Sequence, residues 1–247
     1  MPEAWEIIPT TERTFDEITT FILFCEDKVN EPTYFQALQK EKKVKINFVE
    51  DVKSDHLNFL NTIDYCIKKD LMELVGANYK LRADVTEHIW CVYDRDSEKN
   101  DPTQLSQIDQ LRFTTAIASA EAANLKVAWS NDVFELWILL HFEDVPPGVC
   151  QHRIYVYDRL TEIFKNLPEQ TPELLALTTN PYFNYKLTMK KRTNFIKFVR
   201  PLLASRQDLA FERAAALEAI FPVGTPYHNC NPCTKIHHLV QSILSFH

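Results

Sequence analysis

The chain has 247 residues, 45% of them hydrophobic and 25% charged, which suits a soluble globular protein with one large or two modest cores. Its formal net charge of −7, from 27 basic and 34 acidic residues, excludes a protein that coats nucleic acid over its whole surface but leaves room for a local basic face. Three glycines leave neither a Gly-x-x-x-x-Gly-Lys phosphate loop nor a Gly-x-Gly-x-x-Gly dinucleotide turn.

No apolar run approaches the roughly 18–20 residues that span a bilayer. The segment Met1 to Glu6 lacks the basic-then-apolar order of a secretory leader. The expected location is the cytoplasm, away from any membrane, with Cys25, Cys66 and Cys91 reduced inside apolar segments.

The apolar run Phe21 to Cys25 predicts a buried strand, and the segment from Pro32 to Lys43 a helix with Pro32 in its first turn. Lys45 to Val49 predicts a second strand, followed by a long helix from Asp55 to Leu74. His88 to Tyr93 predicts a third strand, Leu105 to Asn124 a helix, and Lys126 to Trp129 a fourth strand. Strands alternating with helices define an α/β fold with a mostly parallel, Rossmann-like sheet flanked by helices.

After Phe142 the pattern turns helical, with helices expected at Tyr155 to Asn166, Asn184 to Leu203, Asp208 to Ile220 and Thr234 to Phe246, separated by prolines. The expected organisation is an α/β catalytic domain over residues 15–145 and a mainly helical region over 146–247 packing on it.

Two of the strands end in carboxylates: Glu26 follows the first, and Asp94-Arg95-Asp96 ends the third. In open α/β sheets ligands collect at the carboxyl ends of the strands. Carboxylates gathered there repel one another unless a hard cation such as Mg²⁺ or Mn²⁺ neutralises them. Glu26, Asp94 and Asp96 are therefore the candidate metal ligands and catalytic residues, for phosphate chemistry. If Glu26 is not a ligand, it is placed to act as general acid or base. The bland alternative leaves Glu26 exposed in a loop.

Between Lys186 and Arg200 six basic residues occur without an acidic one, interleaved with Phe195 and Phe198. On a helix these form either a phosphate-contacting ridge or an ordinary solvated face. Lys186 and Lys190 head that ridge. Asn131 and Glu135 follow the fourth strand and either border the cleft or serve the local helix as cap and ion-pair partner. His228, Cys230, Cys233 and His237 have a spacing compatible with tetrahedral Zn²⁺, although Asn231-Pro232-Cys233-Thr234 equally fits a turn and helix cap.

Four segments carry a family resemblance. Phe24 to Phe35, with Glu26, resembles the opening motif of the RloB-like family, and Val92 to Asp96 resembles its Asp-x-Asp strand end. Ser130 to Phe142 is similar to its central motif, and Asn231 to Thr234 to its C-terminal signature. The resemblance implies a TOPRIM-type fold in which Glu26, Asp94 and Asp96 hold Mg²⁺ or Mn²⁺ for phosphodiester hydrolysis. Lys28, Asn131, Glu135, Lys186 and Lys190 fall on the substrate side. It further implies a role in antiviral defence and an ATPase sensor as partner. The acidic net charge itself points to a restricted substrate, structured RNA such as tRNA, with DNA left open, and assembly as a homo-oligomer is left open too. One departure stands out: the family has Gly after the motif's Glu, and this chain has Asp27, which either tolerates the backbone shape there or adds a fourth carboxylate.

Two other readings compete. A phosphoacceptor receiver-like domain would need a Lys after a later strand, whereas Lys126 opens its strand. A catalytically silent module would keep the fold only to dock an ATPase partner.

Overall fold

The computed structural model describes residues 18–49, 59–95 and 107–246. Strands β1 (Thr19–Cys25), β2 (Val44–Val49), β5 (His88–Asp94), β6 (Lys126–Asn131) and β7 (Cys233–Thr234) build one sheet in the order β2-β1-β5-β6-β7. The first four run parallel, and β7 closes the edge antiparallel to β6.

The central strands are apolar throughout because both faces of the sheet are covered. Phe21, Leu23 and Cys25 of β1 enter one core, while Ile22 and Phe24 enter the other. The second face takes α2 (Phe59–Lys68) and α3 (Gln107–Ala122), with Cys66, Phe113 and Ile117 packed on Cys91, Tyr93 and Trp129. On the first face lie α1 (Asn30–Glu41), α4 (Glu135–Leu140) and helices of the C-terminal region.

The C-terminal helices are α5 (Arg153–Lys165), α6 (Pro172–Thr178), α7 (Tyr185–Thr188), α8 (Arg192–Asn194), α9 (Arg200–Ala204), α10 (Gln207–Ala219) and α11 (Ile236–Leu244). Leu160 of α5, Ala214 of α10 and Ile243 of α11 share a core with Phe21 and Leu23 of β1. The α/β part and the helical part thus have one continuous hydrophobic core.

Three elements differ from the sequence expectation. The helix expected through Leu74 stops at Lys68, and an antiparallel hairpin follows, β3 (Met72–Val75) paired with β4 (Asn78–Leu81), turning at Gly76 with φ 65°. A positive φ suits glycine and lets the chain reverse in two residues. The start expected at Asp55 lies outside the described residues.

The single helix expected over Asn184 to Leu203 is broken. It unwinds after α7, restarts at α8, and widens into a π-helical turn over Phe195–Val199 before α9. Pro201 has no N–H to return to the preceding turn, which accounts for a break in regular α geometry there. Thr234, expected to open the last helix, instead pairs with Ser130, and Cys233 before it pairs with Asn131, as β7.

Helix α4 is buried on every side, from Glu135 to Leu140. A helix apolar around its circumference belongs in a core, and Trp137, fully enclosed, packs edge-on to His141 with ring centroids 4.8 Å apart. Trp137→Ala is expected to lower stability by about 3–5 kcal/mol, read as a lower urea midpoint with unchanged slope.

Candidate functional site

Strands β1 and β5 are neighbours, with Cys25 opposite Val92, so the residues after Cys25 and Val92 emerge side by side at the carboxyl edge of the sheet. Glu26 Oε2 accepts the backbone N–H of Asp94 at 2.9 Å. Asp94 Oδ2 accepts the N–H of Phe134 at 2.8 Å, which ties the end of β5 to the entry of α4. Asp94 Oδ1 is buried without a hydrogen-bond partner. Burial, reinforced by Glu26 and Glu135, raises the Asp94 pKa well above the ordinary carboxylate range, while the Phe134 amide and Lys190 oppose that rise.

A further carboxylate joins them that the strand-end argument does not reach. Glu31, in the first turn of α1, is fully buried. Its Oε2 accepts the N–H groups of Glu26 and Asp27 at 3.1 and 3.3 Å, so the loop after β1 curls around it, and its Oε1 has no hydrogen-bond partner. Burial first, then Asp94, Asp27 and Glu26, hold its pKa well above normal. The one sequence signal was an acidic residue at the start of an apolar helix segment, which by itself reads as a favourable first-turn charge.

Asp27, the departure from the family pattern, works mainly as a helix-start acceptor. Its Oδ1 receives the N–H of Asn30 at 3.0 Å, and its Oδ2 receives the Asn30 amide at 3.0 Å and lies 3.5 Å from Lys190 Nζ. An Asp at that place satisfies amides that α1 leaves open. Lys28 follows it and is exposed.

Glu135 and Lys190, 55 positions apart in sequence, meet at 2.8 Å. Glu135 is 2% exposed, and its other oxygen accepts the Tyr157 hydroxyl at 3.2 Å. Lys190 Nζ also lies 3.4 Å from the Tyr157 hydroxyl and 5.6 Å from that ring's centre. Burial pulls the lysine's pKa down, but Glu135, Tyr157 and Asp27 together outweigh it, so the ammonium stays charged. Lys186 lies exposed beside the same ring, with Nζ 5.5 Å from its centre.

Glu26, Asp94, Glu135 and Lys190 are therefore brought into one cleft, with Lys28 and Lys186 on exposed ground beside its components. Asp96 lies outside the described residues. Asn131 is directed elsewhere: fully buried, its amide donates to the Cys230 carbonyl at 2.9 Å, and its oxygen accepts Arg95 at 3.1 Å. It fastens the 227–231 loop to the end of β6 and does not line the cleft.

The four residues whose spacing is compatible with zinc are not brought together. His228 Nδ1 is 2.8 Å from the Thr114 hydroxyl, the Cys230 thiol faces the carbonyls of Thr225 and Pro226, and His237 turns to Glu218.

The cleft's donor set fits a hard cation in its chemistry: oxygen ligands, two of them buried acceptors with no donor, whose mutual repulsion a positive charge would relieve. Among the described residues its carboxylates do not by themselves bring three ligand atoms within 4.8 Å of one another; the group that does is Glu218, His237 and His238.

A parallel sheet with carboxylates at adjacent strand tips and a lysine across the cleft defines a Rossmann-like protein with an acidic site. The RloB-like protein family model matches residues 21–243, and the chain belongs to that family. No curated protein and no solved structure matches it. No helix among the described residues is long and apolar enough to cross a membrane.

Two outcomes follow from the charges. Lys190→Met leaves Glu135 buried and unpaired, and is expected to cost on the order of 3 kcal/mol, measured by urea denaturation at neutral pH. In the metal-free protein, Asp94 and Glu31 bind protons more tightly folded than unfolded. The stability they confer is complete below their unfolded values near pH 4 and is lost as pH rises through the raised folded values. Asp94→Asn removes one of these charges and is expected to raise stability near neutral pH by about 1–3 kcal/mol; unfolding midpoints in EDTA at acidic and neutral pH check both the sign and the flatter profile.

Proposed function

We propose that this chain is a metal-dependent nuclease of TOPRIM type that hydrolyses phosphodiester bonds, with RNA, and structured RNA such as tRNA in particular, as the favoured substrate and DNA as the other candidate. The observation that carries the reading is the pair of buried, unpartnered acceptors, Asp94 Oδ1 and Glu31 Oε1, gathered with Glu26 at the tips of adjacent parallel strands. Carboxylates whose pKa values are pushed up by burial and by one another, gathered in one place, are a mark of functional sites.

Glu26 and Asp94, with Asp96 as the adjoining acidic residue, are the residues that would hold Mg²⁺ or Mn²⁺. When bound, the ion would polarise the scissile phosphate and lower the pKa of the attacking water. Glu31 holds the loop amides of Glu26 and Asp27 and so sets where the Glu26 carboxylate stands. Glu26, only partly buried, is the carboxylate able to exchange a proton with the cleft if it is not taken up as a ligand.

Lys190 is fixed by Glu135 and Tyr157 and faces Asp27, so it can offer a positioned charge to a phosphate oxygen. Exposed Lys28 and Lys186 extend positive charge along the path a backbone would take. The family resemblance supports a cytoplasmic role in antiviral defence beside an ATPase sensor.

A second reading is a catalytically silent module that docks such a partner. It is favoured by Asp27, which replaces a glycine and draws Lys190 toward itself.

Cleavage of labelled tRNA, single-stranded RNA, and single- and double-stranded DNA, with Mg²⁺ or Mn²⁺ against EDTA, separates the two. The expected result is metal-dependent cutting, reduced by roughly a hundredfold or more in Asp94→Asn, whose fold is retained. No cutting of any substrate, with or without a co-expressed ATPase partner, supports the silent module.

A further inference from the structure

Away from the cleft, on the helical side, a second group of ligating side chains converges. Glu218 lies in the last turn of α10, and His237 and His238 lie in the first turn of α11. Both imidazoles direct Nε2 at the same carboxylate oxygen: His237 Nε2 is 3.2 Å and His238 Nε2 2.8 Å from Glu218 Oε2. The two rings lie close together, with centroids 4.0 Å apart.

The backbone orients His237. Its Nδ1 is 3.0 Å from the Thr234 carbonyl, which only accepts, so Nδ1 carries the hydrogen and Nε2, in the neutral ring, presents its lone pair toward Glu218 Oε2. One ligand atom from each of the three residues lies within 4.8 Å of the others.

We propose that Glu218, His237 and His238 form a binding site for a divalent transition metal of the zinc type, which pins α11 to α10 and leaves a fourth coordination position open to solvent. Two imidazoles and a carboxylate are a donor set that zinc accepts, with metal–ligand bonds of about 2.0–2.2 Å and ligand–ligand edges of about 3.3 Å in a tetrahedron. The observed separations fall just short of those edges. The Nδ1 contact to Thr234 is the backbone carbonyl bond that orients a metal-ligating histidine.

Lys235 Nζ, 2.9 Å from Glu218 Oε1, occupies the other carboxylate oxygen and leaves Oε2 available. His238, with 44% of its side chain exposed, gives solvent access. The site is independent of the nuclease reading.

The test uses the tag-free full chain carrying Asp94→Asn, so that the acidic cleft contributes little. Zinc binding is measured by equilibrium dialysis, and cobalt binding by visible absorption. The expected result is one zinc ion per chain, a rise in melting temperature with zinc, and cobalt bands without thiolate charge transfer. His238→Ala and Glu218→Gln in the same background are expected to lose the bound ion and the thermal shift while keeping the far-ultraviolet spectrum of the parent.

Absence of bound zinc in the parent would overturn the proposal. So would zinc held equally by both variants, or a thiolate charge-transfer band showing Cys230 or Cys233 as ligand.

Discussion

The carboxylate of Asp94 is the joint on which the architecture turns. One of its oxygens fixes the entry of α4 through the Phe134 amide, while its own backbone amide fixes Glu26 at the tip of the neighbouring strand. Three segments distant in sequence, after β1, at the end of β5 and after β6, are thereby held within hydrogen-bonding distance of one another. The carboxyl group that makes this joint is also a liability once ionised, because Glu26, Glu31 and Glu135 stand close by and burial disfavours the charge. The protein tolerates the strain because the sheet and the enclosed α4 leave the strand tips nowhere else to go.

Lys190 carries the opposite charge into this site from the C-terminal region. It reaches Glu135 from the segment after α7, and with Tyr157 on α5 it makes the helical part a wall of the site. The continuous core from β1 to α11 has the same effect at larger scale. A division near residue 145 describes a change in secondary-structure content; it does not mark an independent packing unit.

The features legible in sequence were those written locally. Phe21 to Cys25 and His88 to Asp94 are apolar runs, because both faces of their strands are covered, and the carboxylates at their ends stood out for that reason. Glu31 did not, since nothing in an acidic residue at a helix start tells whether it will be buried or solvated. The pairing of Glu135 with Lys190 depends on tertiary packing that no periodicity encodes.

The hairpin of β3 and β4 was hidden because Met72, Leu74 and Val75 prolong the apolar pattern of α2, with Gly76 the one break. Cysteine and histidine spacing at 228–237 suggested a metal quartet, yet the chain turns these side chains to separate partners, and a glutamate from α10, remote in sequence, meets the histidines instead. Asp27, readable from sequence either as a stand-in for glycine's backbone or as a fourth carboxylate, serves chiefly the start of α1.

The antiparallel strand β7 lies against the end of β6 that leads into α4, and Asn131 is locked by carbonyls of the 227–230 loop. During synthesis on the ribosome, residues 26–140 emerge well before that support exists. The growing polypeptide can align its early strands, but the turn between β6 and α4 acquires its final clasp only after the segment around residue 234 has left the exit tunnel.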